Sequence, residues 1–251
     1  MAENNPWKPL DDALAALKSR EAPLAVWWRD DDTTAMSPEL EKLLALRARH
    51  GVPVALAVIP KESDKALPES LPADNTVDVL VHGLAHENHA PPAERKAEFG
   101  PHRPAATMLD ELDHALSIIR KRFPKHFLPV FVPPWNRMDK KLVPELAGLG
   151  YCGLSRLGQR ENHGKFLEIN AHVEVTDWKK RETHTRERFA ALLAKSLRAC
   201  AASGEPLGIV SHHRIHDDKA FALLDETFAR LRAETSLRWP SAREMFTKAA
   251  A

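Results

Sequence analysis

The chain alternates short apolar runs with longer stretches in which apolar residues recur every three or four positions. A continuous apolar run of a few residues reads as a buried strand, and a 3.6-residue period reads as an amphipathic helix. Leu24–Arg29 (LAVWWR) predicts a first strand. A helix then opens at Ser37-Pro38-Glu39, where serine suits the cap and proline the first helical position. Gly51 ends that helix, and Val52–Ile59 predicts a second strand, stopped by Pro60. Val77–Val81 predicts a third. Met108, Leu109, Leu112, Leu116 and Ile119 place a helix within Pro104–Arg122. Leu128–Val132 predicts a fourth strand, and Asp139–Leu149 a helix ended by Gly150. Tyr151–Leu154 and His172–Thr176 read as weaker strands. Arg186–Ala202, Leu207–Ser211 and Asp217–Glu234 follow as helix, strand and helix. The proline-rich segments Lys61–Thr76 and Ala90–Arg103 read as surface excursions rather than linkers. Such alternation implies parallel pairing and an α/β fold. About seven units suit a barrel, with an open doubly wound sheet as the rival. No glycine-rich phosphate loop follows any strand, which weighs against a nucleotide-binding sheet.

Composition narrows the classes. The 251 residues are 43% hydrophobic and 28% charged, enough for one well-buried domain. The charge is 36 basic against 35 acidic residues, or +1 with neutral histidines. Without a basic excess, nucleic acid is not an expected partner. Cys152 and Cys200 are too few for a disulfide framework and read as ordinary thiols. No stretch reaches the ~18 apolar residues of a membrane helix. The first residues show no apolar core of signal-peptide length, so the expected location is cytoplasmic.

The unusual residues sit just after the strands, where active sites form in barrels and parallel sheets. Asp30-Asp31-Asp32 follows the first strand, and His82 the third. Pro133-Pro134-Trp135 follows the fourth, Asp177-Trp178 follows HVEVT, and His212-His213 follows LGIVS. Of the 13 histidines, His82, His86, His89, His212, His213 and His216 fall in two short stretches. Adjacent carboxylates repel, so a buried run of three needs a metal, protons or cations. Alternation in an extended chain sends Asp31 to the side opposite Asp30 and Asp32, so one carboxylate can bind a metal while its neighbour stays a free base. Taken alone, the run also reads as a solvated acidic turn. His82 and His86, spaced i, i+4, fit one face of a helix, or a strand end and a first helical turn. Either arrangement can hold zinc or another divalent ion such as cobalt, nickel or manganese. His89 is a further candidate, as third ligand or as a group behind the ligands. An Asp-His-His set leaves positions for water, the open arrangement of a catalytic site. His212 can then protonate a leaving amine, with Asp177 orienting it and Trp178 walling the pocket.

These segments, in this order, resemble the polysaccharide deacetylase family (the NodB homology domain, carbohydrate esterase family 4). The family's first motif, Thr-Phe-Asp-Asp, is similar to Arg29-Asp30-Asp31-Asp32 here. Its second, His-Ser/Thr-x-x-His, is similar to His82-Gly83-Leu84-Ala85-His86. Its third, Arg-x-Pro-Tyr/Trp, is similar to Val132-Pro133-Pro134-Trp135, its fourth ends in Asp-Trp as at Asp177-Trp178, and its fifth, Leu-x-His, is similar to Val210-Ser211-His212. The resemblance implies a distorted (β/α)7 barrel forming one catalytic domain over residues 1–251. It also implies a metal-dependent deacetylase acting on a small-molecule or carbohydrate substrate. It makes Asp31 the general base, Asp32, His82 and His86 the metal ligands, and His212 the general acid. A backbone N–H near Pro134 and Trp135 would face the oxyanion. The other register makes Asp30 the base and Asp31 the ligand. Val132 stands where the third motif has the arginine that contacts the base, leaving Arg29 and Arg137 as candidate substitutes. The same metal centre acting on a non-sugar amide, and an inactive sugar- or metal-binding module, are the alternatives.

Overall fold

The computed structural model describes residues 5–248. Its strands are β1 (Leu24–Thr33), β2 (Val54–Val58), β3 (Val77–His82), β4 (Phe127–Val132), β5 (Gly153–Leu154), β6 (Leu167–Glu168), β7 (Val173–Glu174), β8 (Thr176–Asp177), β9 (Glu182–Thr183), β10 (Leu207–Ser211) and β11 (Leu237–Arg238). Its helices are α1 (Lys8–Ala15), α2 (Pro38–His50), α3 (Leu67–Ser70), α4 (Ala105–Arg122), α5 (Arg186–Ser203), α6 (Asp218–Arg232) and α7 (Ala242–Lys248). The main sheet runs β6-β5-β4-β3-β2-β1-β10-β7, with β11 also on β1, and all its ladders are parallel. From β1 to β6 each strand lies beside its predecessor, as in a barrel. A doubly wound sheet reverses direction at a switch point. β6 and β7 are the edges, so the sheet curls into a half-barrel, the distorted form of a (β/α)7 barrel. β8 and β9 make a separate antiparallel hairpin.

The strands are buried on both faces, which is why they read as continuous apolar runs. Val26 and Trp28 of β1 pack among the helix-facing residues, with Leu40 and Leu43 of α2. Trp27 packs on the inner side with Ala55, Ala57, Leu80, Val130 and Val132. With a period of two, Arg29 and Asp31 follow Trp27 to the inner face, and Asp30 follows Trp28 to the helix-facing side. The inner layer is thin in side-chain volume at Ala55 and Ala57, and a fully buried arginine occupies the space above them.

The predicted strands and most helices are present within a few residues. α2 begins as its sequence dictates: Ser37 Oγ accepts the Leu40 N–H at 3.1 Å, and Gly51 closes the helix at φ 59°. Such a serine cap is worth about 1 kcal/mol. The helix expected over Asp139–Leu149 is instead a 3-10 segment, Lys140–Glu145, followed by turns. Pro144 lies inside it and supplies no N–H for a longer ladder. The excursion Lys61–Thr76 contains the short α3. Helix α1, not expected from the sequence, packs on α5 and buries Trp7, Leu10 and Leu14. Both cysteines are free thiols. Among the described residues, no helix is long and apolar enough to cross a membrane.

Candidate active site

Arg29 and Asp31 lie side by side on the inner face of β1, both at 2% exposure or less. The guanidinium takes the carboxylate at two points: Nε lies 2.8 Å from Oδ1, and Nη2 donates to Oδ2 at 2.9 Å. Its other donors reach Asn136 Oδ1 at 2.8 Å, Ser155 Oγ at 2.7 Å and the Arg156 carbonyl at 3.2 Å. A buried charge pair persists where such geometry satisfies the remaining donors and acceptors. Arg29 therefore supplies the contact for which Val132 has no group. Arg137 does not: its Nη1 donates to the Lys96 carbonyl at 3.1 Å.

Beyond Asp31 the strand departs from simple alternation. Asp32 has φ 67°, and the β1–β2 register shifts between Asp30 and Thr33. This bulge brings Asp32 to the histidines at the end of β3. Asp32 Oδ1 lies 3.0 Å from His82 Nε2 and 3.3 Å from His86 Nε2. The donor atoms of all three residues fall within 4.8 Å of one another. Of the two expected arrangements, the strand end holds for His82, but no helical turn carries His86. His82 is the last residue of β3, and His86 sits in the following loop at φ 57°. His86 is held there by Trp135, whose ring centroid is 4.3 Å from its own.

The donor set fits a divalent metal on chemical grounds. His82 Nδ1 lies 2.9 Å from the Val132 carbonyl, which only accepts, so Nδ1 carries the proton. Nε2 faces the Asp32 carboxylate at 3.0 Å, so a cation belongs between them: the proton of a charged His82, or a divalent ion in its place. A backbone carbonyl behind a histidine is also how ligating imidazoles are commonly oriented. Burial and the charge of His82 push His86 down to about 4, so it is a neutral donor at neutral pH. Burial alone would raise the Asp32 carboxyl, but the His82 hydrogen bond and the surrounding imidazoles hold it well below the usual carboxylate range.

Gly83 and Glu98 set the loop. Glu98 is buried, and its carboxylate accepts the N–H groups of Leu84 at 3.2 Å and Ala85 at 2.8 Å. Gly83 has φ 61°, and a Cβ there would stand 2.0 Å from Glu98 Oε2 and 2.5 Å from the Pro134 ring. A hydroxyl side chain at this position of the second motif has no room. Gly83→Ala is expected to destabilise the protein by about 1–3 kcal/mol through overpacking. It should also weaken metal retention, because both histidines hang on this turn. Urea unfolding together with metal content checks both effects.

On the other flank, His212 follows β10, and its Nε2 is 4.0 Å from Asp31 Oδ2. Trp178 stands edge-on to His212 with centroids 4.8 Å apart, and its indole donates to Glu174 at 2.9 Å. Trp178 and Ile215 are exposed apolar side chains on this side. Asp177 does not reach His212, contrary to the expectation. Its Oδ1 accepts the N–H groups of Lys179 and Lys180, and its Oδ2 lies 4.0 Å from His184. The turn into the β8–β9 hairpin needs that carboxylate as an Asx-type cap. Glu174, whose own carboxyl is raised by burial, lies within electrostatic reach of His212, Asp31 and Arg29. Sequence reasoning missed Glu174, Asn136, Ser155 and Glu98. Glu174 lies within HVEVT, but only the sheet order puts it beside His212.

Asp30 belongs to a separate network. It accepts from Ser211 Oγ at 2.5 Å and from the His213 N–H at 3.1 Å, and it pairs with His213 Nδ1. Trp28 Nε1 donates to the same serine at 2.8 Å. Burial would raise Asp30, yet the His213 pair and the Ser211 hydrogen bond hold it below its ordinary value. Neither Asp30 nor His213 touches the Asp32–His82–His86 group. His89 is exposed, and its N–H bonds the Ala97 carbonyl, so it stands away from that group too. The chain leaves the site after His86 and turns at Asn88, whose side chain accepts the Ala90 and Ala97 N–H groups.

The sequence matches no protein-family model and no curated protein. Solved structures resemble it closely in shape. A candidate polysaccharide deacetylase from Mycobacterium smegmatis superposes with a TM-score of 0.66 at 16% identity, covering 92% of this chain and 94% of that one. The fold is that of the polysaccharide deacetylases. A family 4 acetyl xylan esterase from Clostridium thermocellum, solved with a cobalt ion, gives 0.52 at 13% identity over 89% of this chain and 91% of its own. A mutant of a family 4 pseudoenzyme with restored activity gives 0.58 at 15% identity, over 91% of this chain and 69% of its own. Identities this low establish the fold, and one fold hosts both active and inactive sites.

Proposed function

We propose that this chain is a divergent, metal-dependent deacylase of the polysaccharide deacetylase type. It removes an acyl group, with acetyl the first to test, from an amide nitrogen of a sugar. The observation that carries this reading is the convergence on one rim of three elements: the Asp32–His82–His86 donor set, an arginine-clamped Asp31, and His212. Asp32, His82 and His86 would hold the ion. A bound divalent ion supplies polarisation of the acyl oxygen and acidification of water. Asp31 accepts the proton of the attacking water, held in place by Arg29. His212 gives a proton to the departing amine. The Trp135 backbone N–H is the proposed oxyanion donor. Trp178 and Ile215 offer apolar faces to the substrate beside His212. A pure binding site has no need of a base and an acid beside the donor set, which weighs against an inactive module.

Elemental analysis of the purified chain after zinc incubation tests the centre. About one divalent ion per chain is expected, lost in His82→Ala/His86→Ala. Acetate release from N-acetylated sugars and from small non-sugar amides then tests the reaction. A chain that binds no metal defeats the hydrolytic reading outright. Release from non-sugar amides alone moves the proposal to a metabolite substrate.

A further inference from the structure

A cavity of about 580 Å³ opens next to the site, lined by Arg95, Arg137, Arg156, His102, Glu94 and Asn136. Its size falls within the ~300–1,000 Å³ of small-molecule sites. It is joined to the proposed centre by direct contacts. Asn136, on its wall, accepts from the Arg29 that holds Asp31. Asn136 also directly follows Trp135, whose ring stacks on His86.

The charges around this cavity do not balance. His102 is paired with Glu94 at 2.8 Å, and Arg156 with Glu168 through two bonds of 2.9 Å. Among the described residues, Arg95 has no hydrogen bond or ion pair, and Arg137 bonds only a carbonyl. Two guanidinium groups thus share one cavity without a carboxylate bonded to either, Glu174 acting on Arg137 only through space. Burial and the charge of Arg95 lower Arg137 from its ordinary value, the mark of cations held close together. Guanidinium groups match carboxylate and phosphate oxygens through paired, charge-assisted hydrogen bonds.

We propose that the substrate carries an anionic group, a carboxylate or a phosphate, which docks between Arg95 and Arg137 while its acyl group lies at the Asp32–His82–His86 centre. This rests on the deacylase reading and narrows it to acidic substrates. The probes are N-acetylmuramic acid for the carboxylate, N-acetylglucosamine 6-phosphate for the phosphate, and neutral N-acetylglucosamine as the reference. Calorimetric binding to the full chain carrying Asp31→Asn avoids turnover. At least one anionic sugar is expected to bind about tenfold or more tighter than the neutral one, the size of one charge-assisted contact. The preference should shrink as salt rises. It should vanish in Arg95→Gln/Arg137→Gln and reverse in Arg95→Glu, an exposed site where folding is not at stake. Whichever anionic sugar gains identifies the group. Equal affinity for all three sugars, no binding of either anionic one, or a preference that survives the double glutamine variant overturns the proposal. The two readings fail separately. Anion preference without acyl release from any sugar removes the deacylase and leaves the anion site, while acyl release without anion preference does the reverse.

Discussion

Asp31→Asn should lower turnover by about 10²–10⁴-fold, the usual contribution of a positioned general base, and leave the metal in place. Asparagine keeps the size of aspartate and an oxygen for the Arg29 guanidinium, so the clamp at 2.9 Å is partly retained and the protein folds. What is lost is the group that takes the proton from water. Asp32→Asn should behave differently. Asp32 is the carboxylate within 3.0 Å of His82 and 3.3 Å of His86, and its loss should strip the metal and with it the activity. Elemental analysis beside an acetate-release assay separates the two variants. The reverse pattern, metal lost in Asp31→Asn and kept in Asp32→Asn, would transfer the ligand role to Asp31 and the base role to Asp30. The burial of Asp30 against Ser211 and His213 weighs against that outcome.

The second large effect belongs to Arg29. Arg29→Met keeps an unbranched apolar stem as far as the Nε position and removes every donor. Asp31, Asn136, Ser155 and the Arg156 carbonyl each lose a partner, and the guanidinium and Asp31 are themselves buried. Breaking a buried ion pair from one side costs about 3–5 kcal/mol, which urea unfolding would register as a lower midpoint at unchanged slope. Activity should fall about as far as in Asp31→Asn, since a base without its guanidinium is no longer oriented. The double variant Arg29→Met/Asp31→Asn should recover part of the stability, because the uncompensated charge is gone, but none of the activity. Wild-type stability in Arg29→Met would show that the guanidinium does not carry the carboxylate. Arg29→Lys should fall between, since one ammonium cannot serve four acceptors in a fixed plane.

The neighbourhood of β1 shows why part of the site was legible and part was not. The apolar run Leu24–Trp28 announces a strand, and the run of acids announces that something charged follows it. Which acid goes where depends on period-two alternation as far as Asp31 and on a bulge at Asp32 that no local pattern signals. The two histidines of the second motif were visible as a pair. Their placement by a left-handed glycine, against a buried Glu98 fifteen positions further on, was not. Asp177 misled for a similar reason. A carboxylate before tryptophan after a strand looks like a partner for His212, but the hairpin that follows uses it to cap its own turn.

By itself the sequence determined the alternation of strands and helices, the parallel α/β class, and the rim on which the unusual residues gather. Burial on both faces of parallel strands and the 3.6-residue period of helices are written into local patterns of apolar residues. Tertiary structure alone decided the contacts between rim residues. It put Arg29 rather than Arg137 on Asp31, Glu174 rather than Asp177 beside His212, and Asp30 with His213 rather than with the histidines of β3. These pairs join residues from two to 183 positions apart. The distant partners are chosen by sheet order and strand register, which arise only when the whole sheet curls, whereas Arg29 and Asp31 meet through the period-two alternation of one strand.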